Sequence, residues 1–492
     1  MTDHPWNKVS QAAKELLERA RPEGNEAPIT FRRDDEGRCL LSPTPLRWGG
    51  PKGGVAAQLA KRNVPSFFSQ LGEERGALVL CPDLRGLASD ILLHLVGKNP
   101  LPNHPPTGES WIVEFSQPNT HKAFHVGHFR NVVTGDFLVR LARFGGHDVI
   151  AANYIGDIGT HVLRAMVGWE RAGCPDPPTQ GDLAKWLGGF YSEWAQKEGE
   201  ACESFVSVLH QNLEELIALY PEKKELVGIK KRRLGRNRRL LMSLFQSALQ
   251  GNLPWAESEA ETWKACLEIQ DEIATRWAQK DKALIRDWER TRAWSIDSFN
   301  EIYDALEIPF DHVWYESEVE EEAQRIGKEL LERGLATEED GAVLVDFKKE
   351  PYNEPKKDVL MLLRRDGLPL YSAKDLALAR LKERMFSPDQ SLYVVAVPQS
   401  LYFSQIFTIL EQGDHAPKLT HLAYEMVNLP EGKMSSRSGS AIPFSDLWED
   451  ALERVGKRCR NPEGKDVPLI AQGALKHAML SRDFNKKVLF DW

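Results

Sequence analysis

Two groups of residues in this chain have the types and spacing for chemistry on phosphates. The first is His125-Val126-Gly127-His128. On a helix, imidazoles at i and i+3 share one face and can both donate to phosphate oxygens. A helix N-terminus at the same place adds partial positive charge, and Gly127 removes a side chain where a flat adenine could approach the backbone. The second lies about three hundred residues later, at Gly432-Lys433-Met434-Ser435-Ser436-Arg437-Ser438-Gly439. A Gly/Ser loop carrying Lys433 and Arg437 can close over a triphosphate and neutralise the charge that develops as pyrophosphate leaves. Lys122, just ahead of the first group, is a third cation suited to β- and γ-phosphates.

The elements that must position these groups follow from the local pattern. Trp111–Phe115 reads as a short strand, and Ser116-Gln117-Pro118-Asn119 as a turn. An apolar-periodic helix then runs to about Phe144, where Gly145-Gly146 stops it, and Asp148–Tyr154 reads as a second strand. Strand, loop, helix, strand is a βαβ unit, which predicts a parallel sheet with ligands at the strand C-termini. Further strands are expected at Ala342–Phe347 and Ser391–Val397, with helices over about 165–300. The first 108 residues read as a small mixed domain with helices at Val9–Leu17 and Val55–Lys61, closed by a Pro-rich linker at Asn99–Gly108.

Composition narrows the setting. Of 492 residues, 42% are hydrophobic and 27% charged, so the chain can bury a large core. No uncharged apolar stretch reaches the length of about 18 residues that a membrane span needs. Cys39, Cys81, Cys174, Cys202, Cys266 and Cys459 are scattered without a CxxC pair, which argues against a disulfide framework and against a metal centre. The N-terminus lacks a signal pattern, and a reducing cytoplasm is the expected compartment. The formal net charge of -9, from 72 acidic and 63 basic residues, argues against a large sequence-independent RNA contact. A local basic cluster, Lys230 to Arg239, could still grip RNA or an acidic carrier.

Taken in this order and topology, HxGH and KMSxR resemble the two signatures of class I aminoacyl-tRNA synthetases. Val113-Glu114-Phe115-Ser116-Gln117-Pro118-Asn119 with Lys122 and HVGHFRN, then Asn153–Thr160, Phe310–Ser317, Gly367–Asp375 and Leu480–Asp483, resemble the arginyl-tRNA synthetase family. The resemblance covers about 109 to 492 and, more faintly, 45 to 97. It implies an α/β fold: a Rossmann-like parallel-sheet catalytic domain (109–415) with a helical insertion at about 165–300. A small N-terminal α+β domain (1–108) would precede it, and a loop and helical stem-contact region (416–492) would follow.

The resemblance also implies an arginine pocket of Glu114, Ser116, Asn119, Tyr371, Asp375 and Gln399. Glu114 and Asn119 would hold the α-amino group, Asp375 would meet the guanidinium, and Tyr371 would pack beside it. A guanidinium is permanently charged and planar, so it calls for carboxylates in its plane. ATP, entering with Mg2+, would lie on His125, Gly127, His128, Lys433, Met434, Ser435 and Ser436, with Lys122 and Arg437 on its phosphates.

Four departures from the family pattern bear on the acceptor and the pocket. Ile158 and His161 stand where the family has Trp and Gln. Tyr402 replaces a histidine, which is expected to affect nucleotide contact, and Gln117 replaces a small residue near the reacting carboxylate. The chain also ends where the family's anticodon-binding domain would begin. On these grounds the expected activity is formation of arginyl-adenylate followed by transfer to a non-tRNA acceptor such as a small amine, carrier or metabolite. The alternatives are a reduced but genuine ligase charging tRNA(Arg) through the acceptor stem, and a catalytically silent binding protein.

Overall fold

The computed structural model describes residues 5–33, 39–48, 54, 58–59, 67–89, 104–221, 241, 243–244, 246–247, 250, 254–354, 357–412, 417–429, 432–433 and 442–490. The helix expected at Val55–Lys61, most of the Pro-rich linker, the basic cluster at 230–239 and the loop from Met434 to Ala441 lie wholly or largely outside the described residues. The chain divides into two compact units, one of residues 1–107 with 144–146 and the other holding the remainder.

The first unit is built on an antiparallel sheet in the order β1-β2-β4-β3. Its strands are β1 (Arg32–Arg33), β2 (Leu40–Ser42), β3 (Phe68–Glu74) and β4 (Ala77–Pro82). Helix α1 (Pro5–Glu18) buries Val9, Ala13 and Leu17 in one cluster with Leu40, Leu78 and Leu80 of the sheet; α2 (Thr44–Arg47) is a single turn. Here the structure corrects the reading of the cysteines. In the register that sets Leu40 opposite Leu80, Cys39 falls opposite Cys81, and the two form a disulfide. Antiparallel pairing joined residues 42 apart, and spacing along the chain carries no sign of that. Cys174, Cys266 and Cys459 are free thiols among the described residues.

The second unit is a doubly wound α/β domain. Its central sheet is parallel throughout, in the order β12-β11-β5-β6-β7. These strands are β5 (Ser110–Glu114), β6 (Asp148–Ile155), β7 (His312–Tyr315), β11 (Gln390–Ala396) and β12 (Lys418–Tyr424). Chain order runs outward from β5 to β7 on one side and from β11 to β12 on the other. The reversal therefore falls between β5 and β11, and the crevice beyond their C-terminal ends is the place where such sheets take ligands.

Strands β5 and β11 are nearly continuous apolar runs because both of their faces are covered. Val113 joins a core with Phe115, Val126, Phe129 and Phe299. Its neighbour Ile112 points the other way, into a core with Trp314, Ala373, Leu376 and Ile406. On the first face lie α3 (Val126–Phe144), α8 (Lys282–Ala305), α12 (Phe444–Gly456) and α13 (Asp466–Leu480); on the second lie α9 (Glu320–Glu332), α10 (Tyr371–Phe386) and α11 (Ser400–Gln412). Between β6 and β7 the chain makes the expected helical insertion, α4 (Thr160–Arg171), α5 (Leu183–Gln211), α6 (Leu213–Leu219) and α7 (Pro254–Ala278), before α8 returns it to the sheet. Tryptophans 169, 194, 186, 277, 288 and 294 supply much of its packing. Two small sheets, β10-β9-β8 and β14-β13-β15, complete the unit. They comprise β8 (Thr337–Glu339), β9 (Ala342–Val345) and β10 (Leu360–Leu363), and β13 (Val427–Leu429), β14 (Gly432–Lys433) and β15 (Val488–Leu489). Among the described residues no helix is long and apolar enough to cross a membrane.

Helix α3 can lie this close to the sheet because Gly135 faces Phe115: a Cβ there would collide with the Phe115 ring, which is itself wholly buried. Gly135→Ala should therefore overpack the joint between β5 and α3 and cost about 1–3 kcal/mol of stability. Urea unfolding of the two forms measures this, and a variant as stable as the parent would contradict the packing described.

Candidate active site

The first signature sits where β5 hands over to α3, beside the sheet's reversal point. His125 caps α3, and its Nδ1 accepts from the backbone N–H groups of Gly127 (3.1 Å) and His128 (3.3 Å). In return the His125 backbone N–H donates to His128 Nδ1 at 3.3 Å. The two residues thus form a reciprocal cap of the kind that Ser/Thr and Glu usually make, with their rings stacked 3.9 Å apart. Each Nδ1 is an acceptor, so each neutral ring carries its proton on Nε2. Burial is the main cause of neutrality. It pulls His125 down to about 4, with Lys122 adding to the effect, and holds His128 well below the usual range, with His125 and Lys122 adding to it. The pair offers two neutral N–H donors at a helix N-terminus. Gly127 has a different reason here from the one read in the sequence: a Cβ on it would sit 3.0 Å from His125 Cε1, so glycine makes room for the capping ring.

The second signature reaches the first through the main chain. Val126 N donates to Ile442 O (3.0 Å), Phe444 N donates to Phe124 O (2.7 Å), and His125 bridges Pro443. Residues 442–444 follow the 434–441 loop directly. On the other side of that loop, β14 carries Gly432 and Lys433 as the second arm of a hairpin with β13. Met434, Ser435, Ser436 and Arg437 fall outside the described residues, as does the Lys433 side chain. Lys122 Nζ lies 4.7 Å from the centre of the Tyr191 ring.

Beyond β5 the turn is held in an uncommon backbone shape, with φ of 76° at Ser116 and 49° at Gln117. Its fixings are specific. Ser116 N donates to Asn131 Oδ1 (2.6 Å), Gln117 N donates to Asn153 Oδ1 (3.1 Å), and the Ser116 hydroxyl meets the Tyr303 hydroxyl at 2.8 Å. Ser116, expected among the arginine-binding residues, is therefore turned into the core at 1% exposure.

The charges around this turn are nearly balanced by pairs. Glu114, at the end of β5, bonds buried Lys382 with one oxygen and accepts from Gln117 Nε2 (2.7 Å) with the other. Glu316 pairs with Lys374 at 2.9 Å. Asp157 pairs with Arg292 at 2.7 Å and also accepts from Ser317 N and Oγ. Asp375 is the exception. Its hydrogen-bond partner is the Tyr402 hydroxyl, which donates to Oδ2 at 2.5 Å, and among the described residues no cation pairs with it. Burial raises its pKa to about 7; the Tyr402 bond and Lys382 oppose the shift, and Glu114 and Glu316 add to it. Tyr402 thus sits on the pocket carboxylate, where the sequence led to a nucleotide contact.

Of the remaining pocket candidates, Tyr371 begins α10 one turn before Asp375 and is 71% exposed. Gln399 is exposed just past the C-terminal end of β11, on the crevice. Asn119 bridges to Gly156, and its Oδ1 lies 2.5 Å from where a Gly156 Cβ would stand. Two residues near this turn were not singled out as pocket residues in the sequence: Lys382, and Tyr154, whose buried hydroxyl has no hydrogen-bond partner among the described residues. Tyr154 lies within the field of Asp375, Glu316, Glu114 and Asp157, and His161 within that of Lys122 and Lys374. Burial mainly holds the His161 imidazole down to about 3, and Lys122 and Lys374 both add to the effect.

The family described as tRNA synthetases class I (R), catalytic domain, matches residues 92–224 and 259–492. This chain belongs to that family. Relatives include the arginine–tRNA ligase of Bdellovibrio bacteriovorus, 29% identical over 395 residues, which are 77% of this chain and 57% of that protein. That of Treponema denticola is 30% identical over 400 residues, 78% of this chain and 56% of that protein. The chain thus spans under three-fifths of the length of these relatives. In fold it is similar to the Thermus thermophilus arginyl-tRNA synthetase, with a TM-score of 0.61 at 19% identity over 98% of this chain and 76% of that one. The Plasmodium falciparum enzyme gives 0.54 at 15% identity, over 100% and 77%.

The reciprocal cap makes a spectroscopic prediction for this synthetase domain. Nitrogen-resolved NMR of the histidines should show His125 and His128 as neutral Nε2–H tautomers from pH 8 down to 5. A protonation midpoint above 6 for either ring would count against the cap.

Proposed function

We propose that the chain activates L-arginine with ATP, entering as its magnesium complex, and passes the arginyl group to tRNA(Arg). The observation that carries the reading is Asp375, a carboxylate with no cation partner among the described residues, lying in the field of Glu114 at the end of the strand that leads to the two-imidazole cap. A side chain that stays charged at all ordinary pH values needs one such partner, held away from water. The arginine carboxylate attacks the α-phosphorus of ATP, the bond to the β-phosphate bridging oxygen breaks, and pyrophosphate leaves. The Nε2–H groups of His125 and His128, with Lys122, Lys433 and Arg437, stabilise the phosphate oxygens, and Met434, Ser435 and Ser436 meet the nucleotide. The protein's contribution is position and charge. Asn119 and Gln399 hold the α-amino group, and Tyr371 closes the pocket mouth. Glu114 is occupied by Lys382 and Gln117, so its part is to orient Gln117 toward the reacting carboxylate.

For the acceptor, the relatives favour tRNA. Those cited above are named arginine–tRNA ligases, and none of them supports the small amine, carrier or metabolite expected from the sequence. That expectation leaned on where the chain ends. A cytoplasmic setting goes with tRNA charging.

Pyrophosphate exchange tests the reading. Exchange should require arginine, and arginyl-tRNA should form when tRNA(Arg) is supplied. Exchange that survives RNase without any tRNA charging would return the case to another acceptor, and no exchange with tRNA present would refute the reading. Asp375→Asn should lower kcat/KM for arginine by a factor of about 100 or more, since the guanidinium loses a charge-assisted bond inside protein, and should leave ATP affinity in place.

A further inference from the structure

We propose that two tyrosines select the arginine side chain: Tyr402, a positioning residue, pins one oxygen of Asp375 and leaves the other for the guanidinium, and Tyr154 accepts a second guanidinium N–H. The proposal rests on the arginine reading given above. Its basis is two polar atoms that the described residues leave unsatisfied. Asp375 Oδ2 is taken by the Tyr402 hydroxyl, and among the described residues no donor meets Oδ1. The Tyr154 hydroxyl is enclosed and, among the described residues, has no hydrogen-bond partner, a state that costs free energy until a partner arrives. A planar group with several N–H donors satisfies the carboxylate oxygen and the phenol oxygen together, whereas a lysine ammonium is a single point. Citrulline has nearly the same shape but no charge to set against Asp375.

The groups that face Asp375 come from six elements. Glu114 ends β5, Tyr154 lies in β6, Glu316 follows β7, Lys382 shares α10, Tyr393 lies in β11 and Tyr402 in α11. The two glutamates and burial favour the protonated acid, while Tyr402 and Lys382 favour the carboxylate. Arginine binds the carboxylate. Its affinity must therefore rise as pH rises toward about 7 and level off above. Removing the Tyr402 donor raises the pKa of Asp375 and moves that plateau to higher pH.

Calorimetric titration of the full chain with L-arginine, L-citrulline and ATP between pH 5.5 and 8.5 tests this. Tyr402→Phe should weaken arginine about 10-fold or more at pH 7, shift the plateau up by about one pH unit, and leave ATP binding unchanged. Tyr402→His keeps a donor and should recover much of both effects. Tyr154→Phe should weaken arginine about 5-fold at every pH without moving the plateau, and citrulline should bind far more weakly than arginine to the parent protein. A Tyr402→Phe protein with the parental plateau, a Tyr402→His protein without recovery, or a Tyr154→Phe protein with parental affinity overturns the proposal while the arginine reading stands. A parent protein that binds ATP but no arginine overturns both.

Discussion

A carboxylate is held inside protein only where something offsets its charge, and in this chain that constraint organises the acids at the strand ends of the second unit. Burying a carboxylate without a partner is costly, so each of the other three acids in the crevice region carries its own cation. Lys382 meets Glu114, Lys374 meets Glu316 and Arg292 meets Asp157. These pairs come from five elements, and together they set the geometry of the strand ends. Asp375 is tolerated alone because protonation and a tyrosine hydroxyl soften its charge.

The HxGH cap follows the opposite rule, using neutral imidazoles and backbone amides, with Lys122 near enough to disfavour their protonation. Two imidazoles spend their Nδ1 atoms on the helix end and keep their Nε2 protons outward. A serine–glutamate cap would satisfy the same amides but would present acceptors to a triphosphate. The HxGH spacing is thus what a capping box becomes when its outer face must donate, with Gly127 required by the room that the first ring takes.

How much of this was legible in the sequence depended on whether the relevant partners are near in the chain. The β5–α3–β6 unit is local, and its breakers and periodicity gave its limits to within a residue or two: the strand at Trp111–Phe115 is Ser110–Glu114, and the helix ending near Phe144 ends there. Tyr371 and Asp375 fall on one helix as their spacing required. The residues that balance the pocket were not legible, because Lys382 pairs with a glutamate 268 positions away and Arg292 with an aspartate 135 away. The same holds for Cys39 and Cys81, and for Ser116, whose hydroxyl is claimed by Tyr303 of α8. Tyr402 stands out in the sequence as a departure, but its bond to Asp375 was not legible, since nothing local told that α11 turns it toward α10. A family motif says which positions matter; the long-range partner decides what a changed residue there touches.

The two signatures, distant in sequence, are not independent in space. Val126, the first residue of α3, takes its backbone acceptor from Ile442, and Phe444 takes its own from Phe124, on either side of the capping histidine. The chain leaving the 434–441 loop is therefore clamped to the turn that fixes both imidazoles, while the chain reaching the loop is held in the β13–β14 hairpin. The backbone bonds at 442–444 therefore help to hold the helix end that His125 and His128 cap. Any change that loosens the 442–444 bridge should disturb both imidazoles together, because this strand-like contact flanks the residue that begins their cap.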